Sequence, residues 1–558
     1  MPILTVRKDR FWRLLERKLD DLELISLLHS LALDVEEITE EYFRVEYNPN
    51  RPDYSSPVGI ARAARGLLEI ELGAPRYRLH PPKTYVKVDP EVREVRPYIV
   101  GAIIRDIKLD QEIIEELVSM QEDLHWIIGR DRKKVAIGLH NLDVLKPPFR
   151  YTAVKGDEYS FIPLGEWRRM SLEEILLKHE KGIKYAHLVK GKPRYPLLLD
   201  SRGEVLSFPP IINSILTELN SDVKNIFIDI TGTDLNALNS ALNILTTTLH
   251  DMGGKIEQVK IIYPEKMYVT PNYKVRKWRV RIDYVNSLIG LNLKKTEIVK
   301  ALKKLRHGVK VKRNVLYVYS PPYRVDILHE VDFVEDVAMG LGYSNLEPSM
   351  PKVITYGSLH RSTMIEESLR EIMLGLGFTE VMNFMLTNER DEYEKMMVKP
   401  HQHVKLMNPA SSEYTILRTW ILPSLMKTLS NNKSSPYPQK IFEIGDVVLP
   451  DPSVPERAVR RMKLGCASCH SDASYSEIKS ICEEVLENLN IDKWSIVEYD
   501  EPPFLEGRAA KIMLNDIQIG FMGEIHPQVL ENWEIMMPTA ALELAIHELI
   551  EKQSAETY

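Results

Sequence analysis

Apolar residues recur three or four positions apart at the start of the chain, at Leu14, Leu15, Leu19, Leu22, Ile25 and Leu28. This spacing predicts amphipathic helix. A strand is predicted over 42–46, and prolines in the following segment, 48–53, bias the backbone there away from helix. A further helix is predicted over 58–71. Residues 1–85 are therefore interpreted as an N-terminal α/β domain.

From residue 86 to residue 267, short apolar runs typical of strands alternate with helical segments. Strands are predicted at 98–100, 135–138, 197–199 and 226–228, and helices at 111–120 and 236–250. The second helix is followed by Gly253-Gly254, a helix stop. The segment 151–188 is polar and aromatic, and no regular element is predicted for it. We interpret 86–267 as a mixed α/β domain.

Residues 268–350 show a helix, turn, helix, strand, helix order. Helices are predicted over 283–288 and 296–305 around Gly290, a strand over 316–319, and a third helix beginning at Asp326. This order is similar to a winged-helix unit.

Prolines at 348 and 351 mark the start of the last domain, 351–558. Its predicted helices (363–376, 422–429 and 475–489) alternate with predicted strands (440–449, 511–514 and 519–523). No sequence period of about 20 to 50 residues is present, which excludes a solenoid. The predicted fold class is α+β multidomain, with four domains.

Composition limits the function only weakly. A chain of 558 residues exceeds one hydrophobic core. The net charge of −7 is not that of a polybasic protein, yet 73 Lys and Arg residues can gather on one face and bind RNA. Three cysteines favour a reducing compartment. No apolar run approaches the roughly 20 residues of a membrane span, and no signal peptide is visible. We expect a cytoplasmic protein without a membrane partner.

The most acidic candidate site lies on the helix predicted after Asp326, which would be its N-cap. Ile327, Val331, Val334, Ala338 and Leu341 follow helical spacing and are expected to form a buried stripe. Asp332 and Asp336 would then face solvent, with Glu335 on their flank. Two acids four residues apart repel each other, and a hard cation with oxygen ligands would offset that repulsion. The alternative is an ordinary acidic helix face.

A second candidate site combines two segments. Asp200 to Gly203 is a predicted hairpin turn after the strand that contains Leu198, and Ser207, Asn213 and Ser214 follow it beside rigid prolines. Asp229 and Thr231 end a buried strand where a helix begins. Polar groups at a helix N-terminus suit a small ligand with an anionic head. The alternative is strand–turn–helix packing, with these residues as caps.

The remaining sequence motifs do not support a further catalytic or metal site. A haem-attachment pattern is matched by Cys466-Ala467-Ser468-Cys469-His470. Haem attachment requires export, for which no signal is visible, and a structural zinc ion would require two more ligands nearby. We therefore assign no site to this string. Walker-type loops, Ser-His-Asp spacing and His-Glu-x-x-His helices are absent from the sequence.

Several strings together resemble the phenylalanyl-tRNA synthetase β family of the shorter archaeal and eukaryotic-cytosolic type. They are Asn48-Pro49-Asn50-Arg51-Pro52-Asp53, residues 207–214, 229–234 and 324–336, and, in the last domain, Leu417-Arg418-Thr419, Phe442-Glu443-Ile444-Gly445-Asp446 and Gly523-Glu524-Ile525-His526-Pro527. The resemblance runs nearly from end to end. It implies an editing domain over 86–267, a magnesium-associated winged-helix-like domain over 268–350, and a class II synthetase-like antiparallel-sheet domain over 351–558.

The resemblance also implies an activity. Family members attach phenylalanine to tRNA(Phe) with ATP and Mg²⁺ as α2β2 enzymes whose synthetic site is on the α subunit. The sequence is consistent with a synthetic site on the α subunit. A working class II core needs an arginine on the strand with Phe442 to Gly445 and a Gly-x-Gly-x-x-Arg motif near the end of the domain, and both are missing here. The matching magnesium positions are Asp326, Asp332, Glu335 and Asp336. The matching editing positions are Leu198, Ser207, Asp229 and Thr231.

An editing site has a physical reason. Tyrosine is phenylalanine plus one hydroxyl group, and an apolar pocket rejects an added hydroxyl by only about 10²-fold. A second, hydrolytic site that binds the hydroxyl would remove Tyr-tRNA(Phe). Two alternatives stay open: a structural partner subunit that has lost editing, and a free-standing nucleic-acid-binding protein. For the latter, Lys300, Lys303, Lys304 and Arg306 would face phosphates.

Overall fold

Residue 350 is the boundary between two units of the computed structural model, which describes residues 2–313, 315–351 and 355–549. The first unit begins with β1 (Ile3–Arg7), α1 (Lys8–Leu15), α2 (Asp21–Ser30), β2 (Asp34–Ile38), β3 (Tyr42–Glu46) and α3 (Pro57–Leu67). Strand β3 lies between β1 and β2 and pairs antiparallel with both. The strand predicted at 42–46 is confirmed as β3. The first predicted helix is two helices, because Glu16, with φ of 59°, ends α1.

The loop at 48–53 packs tightly against the start of α3. A Cβ atom at Gly59 would lie 1.7 Å from the carbonyl oxygen of Asp53, so only glycine permits this approach. Ser56 caps the helix by accepting a hydrogen bond from the Gly59 N–H. The loop is thereby fixed to the helix that follows it.

The middle of the first unit is built around one large sheet. Its elements are β4 (Leu79–Val88), β5 (Tyr98–Arg105), α4 (Gln111–Ile127), β6 (Val135–Asn141), β7 (Phe149–Val154), β8 (Ser160–Phe161), β9 (Met170–Ser171), α5 (Leu172–Lys178), α6 (Glu180–Tyr185), β10 (Tyr195–Leu199), β11 (Val205–Phe208), β12 (Ile212–Asn213), β13 (Ile226–Gly232), α7 (Leu235–Asp251), β14 (Lys255–Ile262) and β15 (Met267–Thr270). Ten of these strands form the sheet in the order β12-β11-β10-β7-β4-β14-β5-β13-β6, with β15 paired to β14. The β14–β4 and β4–β7 pairs are parallel.

Apolar side chains cover both faces of this sheet. Helices α4 and α7 pack on one face, where Leu117, Leu124, Leu238 and Leu245 are buried. The other face buries Val86, Phe149, Leu198 and Phe227. Strand β13 therefore lies at the centre of the core, and every residue from Ile226 to Gly232 is buried.

The segment 151–188, for which the sequence predicts no element, contains short strands and helices. They enclose a separate apolar core that includes Phe161, Leu172, Ile175 and Phe208. The helix predicted over 236–250 is confirmed as α7, and Asp234 caps it by accepting from the Asn236 and Ala237 N–H groups.

Residues 276–341 form a three-stranded antiparallel sheet with three helices: β16 (Arg276–Arg281), α8 (Ile282–Ile289), α9 (Lys295–Lys304), β17 (Gly308–Lys312), β18 (Val315–Ser320) and α10 (Glu330–Leu341). Strand β18 lies between β16 and β17. The two helices predicted around Gly290 are confirmed as α8 and α9, and Gly290, with φ of 78°, ends the first. The third helix begins at Glu330 with His329 as its N-cap, so the prediction that Asp326 caps it is wrong.

The second unit contains α11 (Arg361–Gly375), β19 (Thr379–Glu380), β20 (Leu386–Thr387), β21 (Ile416–Leu417), α12 (Leu422–Asn431), β22 (Gln439–Pro450), β23 (Ala458–Cys469), α13 (Tyr475–Asn488), β24 (Trp494–Glu498), β25 (Phe504–Leu514), β26 (Ile517–Ile525), α14 (Pro527–Asn532) and β27 (Thr539–Ala545). Seven strands form a sheet in the order β19-β22-β23-β27-β26-β25-β24, antiparallel except for the β19–β22 pair. Cys466 and Cys469 are buried on β23. Together the two units are a mixed α/β multidomain architecture. No helix in the described part of the chain is long and apolar enough to span a membrane.

Candidate functional site

A cavity opens at the sheet where β13 runs between β5 and β6, and we call it the sheet cavity. Asp229 and Thr231 of β13, Ser207 of β11, His125 of α4 and Arg132 line it. Asp229 lies opposite Gly101 on one neighbouring strand and Gly138 on the other. Three of the four residues predicted for this site, Ser207, Asp229 and Thr231, are thus brought together. Leu198 does not line the cavity and packs in the apolar core on the sheet face.

The carboxylate of Asp229 is held by a buried histidine. His140 Nε2 donates to Asp229 Oδ1 over 2.6 Å, and His140 Nδ1 lies 2.8 Å from the Thr217 hydroxyl. A Cβ atom at Gly138 would lie 2.2 Å from Asp229 Oδ1 and 2.6 Å from His140 Nε2. The glycine therefore makes room for the pair. Because a carboxylate only accepts hydrogen bonds, Asp229 orients the imidazole with its Nε2 proton toward the acid.

Arg96 fixes Thr231. Its Nε donates to Thr231 Oγ1 over 2.9 Å, and its Nη2 donates to the carbonyl oxygens of Thr231 and Arg132 over 2.7 and 3.2 Å. Burial lowers the pKa of Arg96 to about 10, so the guanidinium stays charged near pH 7. Since Thr231 Oγ1 already accepts from Arg96, its own proton is left to donate toward the cavity.

Ser207 lies on the opposite wall, and its hydroxyl is unusual. Ser207 Oγ is buried and has no hydrogen-bond partner in the described part of the chain. The loop beside it, 209–211, is held by Arg132, whose Nη1 donates to the carbonyl oxygens of Pro210 and Ile211 over 3.3 and 2.9 Å. A buried polar atom without a partner destabilises the fold, so this hydroxyl calls for a ligand or a water molecule.

Two cations that line the cavity lie beside one acid, Glu122. Arg132 pairs with Glu122 over 2.7 Å, and Lys181 lies 3.8 Å from the same carboxylate. Burial of Glu122 works against its ionisation, but His125 and Arg132 lower its pKa to about 2. Burial lowers the pKa of His125, whose Nε2 accepts from the Ile137 N–H over 2.8 Å. The cavity thus combines a neutral imidazole, two hydroxyl groups and an acid with a buried arginine and an exposed lysine.

Sequence reasoning missed four of these side chains: Arg96, His125, Arg132 and His140. One signal was available for His140, because a histidine in the apolar run Val135 to Leu139 must be buried and satisfied by a partner. The two arginines gave no such signal, since no local pattern marks their partners, which are backbone carbonyls together with Thr231 and Glu122.

The four acids predicted as metal ligands, Asp326, Asp332, Glu335 and Asp336, line a second pocket together with Asn48 and Asn50. Asp336 is 2% exposed, which contradicts the prediction that it faces solvent, and Val331 of the predicted buried stripe is 42% exposed. Asp336 is buried because it binds the buried side chains of Arg324 and His307. Of the predicted stripe, Ile327, Val334 and Ala338 are buried and Leu341 is partly buried, and Phe333 and Val337 of α10 pack in the same core.

Each of the four acids already has a partner. Asp336 accepts from His307 Nε2 over 2.5 Å and from Arg324 Nη2 over 2.9 Å, and Arg324 also binds Asp326 over 2.7 Å. Burial opposes ionisation of Asp336, but the charge of Arg324 and the hydrogen bond from His307 hold its pKa far below the usual range. Asp332 accepts from the N–H groups of Leu328 and His329 over 2.6 and 2.7 Å, and Glu335 accepts from the Tyr343 hydroxyl.

This arrangement does not fit a cation site in the chain by itself. Among residues 2–313, 315–351 and 355–549, no three His, Cys, Asp or Glu side chains are grouped as a metal would require. Three of the four basic residues predicted to face phosphates are also engaged: Lys300 and Lys304 pair with Glu69 over 2.8 and 3.0 Å, and Arg306 pairs with Glu71.

Known proteins were compared with the whole chain. The family model described as "Phenylalanyl tRNA synthetase beta chain CLM domain" matches residues 346–546, and the "tRNA synthetase B5 domain" matches residues 278–343. The phenylalanine–tRNA ligase β subunit of Archaeoglobus fulgidus is 43% identical over 98% of this chain and 98% of its own length. That of Methanocaldococcus jannaschii is 40% identical over 98% of this chain and 100% of its own.

A crystal structure of an N-terminal fragment of the phenylalanyl-tRNA synthetase β subunit from Pyrococcus horikoshii is also similar. It is 39% identical, with a TM-score of 0.59, and the match covers 61% of this chain and all of that fragment.

Proposed function

The chain belongs to the family of phenylalanine–tRNA ligase β subunits, and from this premise we propose that it edits Tyr-tRNA(Phe) in the sheet cavity while an α subunit attaches phenylalanine. As a β subunit it is part of a ligase. The proposed assembly is an α2β2 tetramer in the cytoplasm that binds tRNA(Phe), with ATP used at the α subunit.

Placing the synthetic chemistry on the α subunit is supported by the second unit. Strand β22 carries Glu443 in the string where a working class II core needs an arginine. The Glu443 carboxylate is buried and accepts from Arg418 Nη2 over 2.7 Å. An acid already neutralised inside the protein offers nothing to the phosphates of ATP. We expect no ATP–pyrophosphate exchange by this chain without α, and robust exchange by the isolated chain would overturn the assignment.

The editing proposal rests on the hydroxyl of Ser207, which is buried, lacks a partner and lines the same cavity as Asp229 and Thr231. A site that selects tyrosine over phenylalanine needs a polar group whose hydrogen bond is completed only by the tyrosine hydroxyl. Such a group is not satisfied by the protein itself. Ser207 has this property, whereas Asp229 and Thr231 are already oriented by His140 and Arg96.

Hydrolysis in this cavity would depend on positioning. The lining contains no cysteine, so a covalent intermediate on a thiol is excluded. Thr231 keeps a proton to donate, and the second oxygen of Asp229 keeps acceptor capacity. Together they can orient a water molecule toward the ester carbonyl carbon, because His140 and Arg96 hold the Asp229 and Thr231 side chains in place. Lys181, which is exposed beside the cavity, suits a phosphate of a tRNA 3′ end, whereas Arg132 is buried and holds the loop 209–211.

Magnesium belongs in this proposal to the assembled enzyme only. The four acids line one pocket, which supports a shared role, but Arg324 already neutralises two of them, Asp326 and Asp336. We expect calorimetric titration of MgCl₂ to show no saturable binding to the lone chain. Saturable binding that is lost in Asp332→Asn would show that the acids hold the ion without α.

Replacement of one acid in the sheet cavity tests the editing proposal. Asp229→Asn keeps the shape of the side chain and an acceptor for His140, so the fold should be retained. Losing one oriented charged group should slow Tyr-tRNA(Phe) hydrolysis by about 10²–10³-fold, with phenylalanine attachment by the α–β complex unchanged.

The matched control is Asp234→Asn. This acid lies five residues further on, at the N-cap of α7, where asparagine serves as well as aspartate. Hydrolysis and attachment should both be unaffected. A parallel loss of attachment and hydrolysis in Asp229→Asn would mean that Asp229 supports packing only, and full hydrolysis would favour a β subunit without editing at this cavity.

A further inference from the structure

A third cavity of the first unit, which we call the α7 cavity, lies between helix α7, the segment that includes and follows β15, and the loop after β18. Its volume is about 310 Å³, which is within the range of small-molecule sites. It shares no lining residue with the sheet cavity. Helix α7 contributes Asn236, Asn239, Ser240 and Asn243, whose spacing places them on one face of the helix. This wall is polar, although the opposite side of α7 packs into the core.

Two polar groups of the α7 cavity are buried without a partner in the described part of the chain, Asn243 Oδ1 and Ser320 Oγ. Ser320 is only 6% exposed. Asn239 donates its amide group to the Leu235 carbonyl over 2.7 Å, so its own carbonyl oxygen is left to accept from another group. Because buried polar atoms are almost always paired, this wall is complete only when a hydrogen-bonding molecule occupies the cavity.

The charges of the lining favour an anion. Lys274 and Arg276 are exposed at the cavity, and neither forms an ion pair with another described residue. The third cation, Arg324, is bound to Asp326 and Asp336. No aspartate or glutamate is among the lining residues. A free amino acid would bring an ammonium group that no carboxylate could receive, which argues against amino acids as the ligand.

We propose that the α7 cavity binds a nucleotide whose base carries an exocyclic amino group. The amino group donates to Asn243 Oδ1, and the asparagine and serine groups beside it complete the polar edge of the base. Asparagine is suited to this role because its amide both donates and accepts, as adenine recognition requires. Lys274 and Arg276 bind the phosphate. The nucleotide is either free or part of a single-stranded RNA, and this proposal does not depend on editing.

Calorimetric titration of AMP into the full chain, without α and therefore without the proposed ATP site, tests the proposal. Saturable binding is expected, and adenosine and inorganic phosphate should each bind more weakly than AMP. Asn243→Leu removes the unpartnered oxygen and should weaken AMP binding by about tenfold or more without lowering the melting temperature. The double variant Lys274→Ala with Arg276→Ala should weaken AMP binding and leave adenosine binding unchanged.

The matched control is Lys260→Ala, which removes an exposed lysine of β14 outside the cavity and should leave binding unchanged. A short oligoadenylate distinguishes the two sources. Tighter binding than AMP, still sensitive to Asn243→Leu, identifies an RNA nucleotide, and equal binding identifies a free one. The proposal is overturned if neither AMP nor the oligoadenylate binds, or if Asn243→Leu binds both as well as the unmodified chain.

Discussion

Two buried serines near the sheet cavity, Ser207 and Ser214, differ in what their hydroxyl groups do. Ser214 Oγ accepts from the Leu216 N–H over 3.3 Å, whereas Ser207 Oγ has no partner among the described residues. Ser207→Ala should therefore leave the free energy of unfolding unchanged or raise it, because no bond of the fold is removed and a buried polar atom without a partner is lost. Hydrolysis of Tyr-tRNA(Phe) should fall strongly. Thermal melts and a deacylation assay measure the two effects.

Ser214→Ala supplies the opposite pattern as a control. Losing its bond to the backbone should cost about 1 kcal/mol of stability, with hydrolysis retained. If Ser207→Ala were as active as the unmodified chain, the unpartnered hydroxyl would have no part in recognising tyrosine.

Asp336 and Asp332 also differ at the residue scale, although both belong to the same acidic segment. Asp336→Ala leaves the buried His307 Nε2 without its acceptor and leaves the buried Arg324 with Asp326 alone, which should destabilise the chain by about 3 kcal/mol. Asp332→Ala removes an exposed-side acceptor for two N–H groups and should cost about 1 kcal/mol. Denaturant titrations of the two variants give these values. Equal, small losses would show that Asp336 is not the anchor of the Arg324 network.

Residue types and spacing could group Ser207, Asp229 and Thr231, because all three are polar residues of apolar strands of one sheet, although Asp229 lies in the middle of β13 and not at its end as predicted. The same reasoning could not place Leu198, whose apolar side chain fits either a cavity wall or a core. It also failed for Asp336. Its burial depends on Arg324 and His307, which lie 12 and 29 positions earlier in the chain. Long-range charge pairs of this kind leave no periodic pattern in a sequence.

At the scale of elements, the second unit contains a single π-helical turn, Arg390–Glu394, in which the side chain of Glu392 is buried. Glu392 Oε1 accepts from the Thr419 N–H and hydroxyl over 2.6 and 2.8 Å, while Oε2 has no partner in the described chain. Burial, with a contribution from Glu543, raises the pKa of Glu392 from 4.5 to about 7. The folded state therefore holds the proton more tightly than the unfolded chain does.

This difference makes the second unit less stable as the pH rises. Below about pH 4.5 the acid is protonated in both states and has no effect. Between about pH 4.5 and 7 the unfolded chain ionises first, so stability falls, by up to about 3 kcal/mol above pH 7. Glu392→Gln should have little effect at pH 4 and should stabilise the chain at pH 8. Melting curves of both proteins across this range would contradict the prediction if their difference did not change with pH.

Elements with a strong local pattern were predictable, and elements held by tertiary contacts were not. Strand β3 and helix α7 follow their alternation and caps closely. The start of α10 is four residues later than expected, because Arg324 draws Asp326 into an ion pair and leaves the cap to His329. The short strands and helices within 151–188 have weak propensity, and they are stabilised by the separate apolar core that they share.

At the scale of the whole molecule, residues 1–350 contain both the sheet cavity and the α7 cavity within one unit. A fragment of these residues should fold by itself, since its apolar cores are complete within it. It should hydrolyse Tyr-tRNA(Phe), but mixing it with α should not restore phenylalanine attachment. Circular dichroism reports folding and deacylation reports activity. A folded fragment without hydrolysis would show that the second unit or α completes the site.

Gly138 ties the chemistry of the sheet cavity to the evolution of the fold. Even a methyl group there would collide with the Asp229–His140 pair. Glycine is also a poor strand residue, so every other consideration favours replacing it. We therefore expect glycine at this position in relatives whose function depends on the acid–imidazole pair. In a lineage that no longer needs the pair, mutational drift would fill position 138 with alanine or valine and would gain stability by doing so. The identity of the residue at position 138 should therefore indicate whether the acid–imidazole pair is still functional.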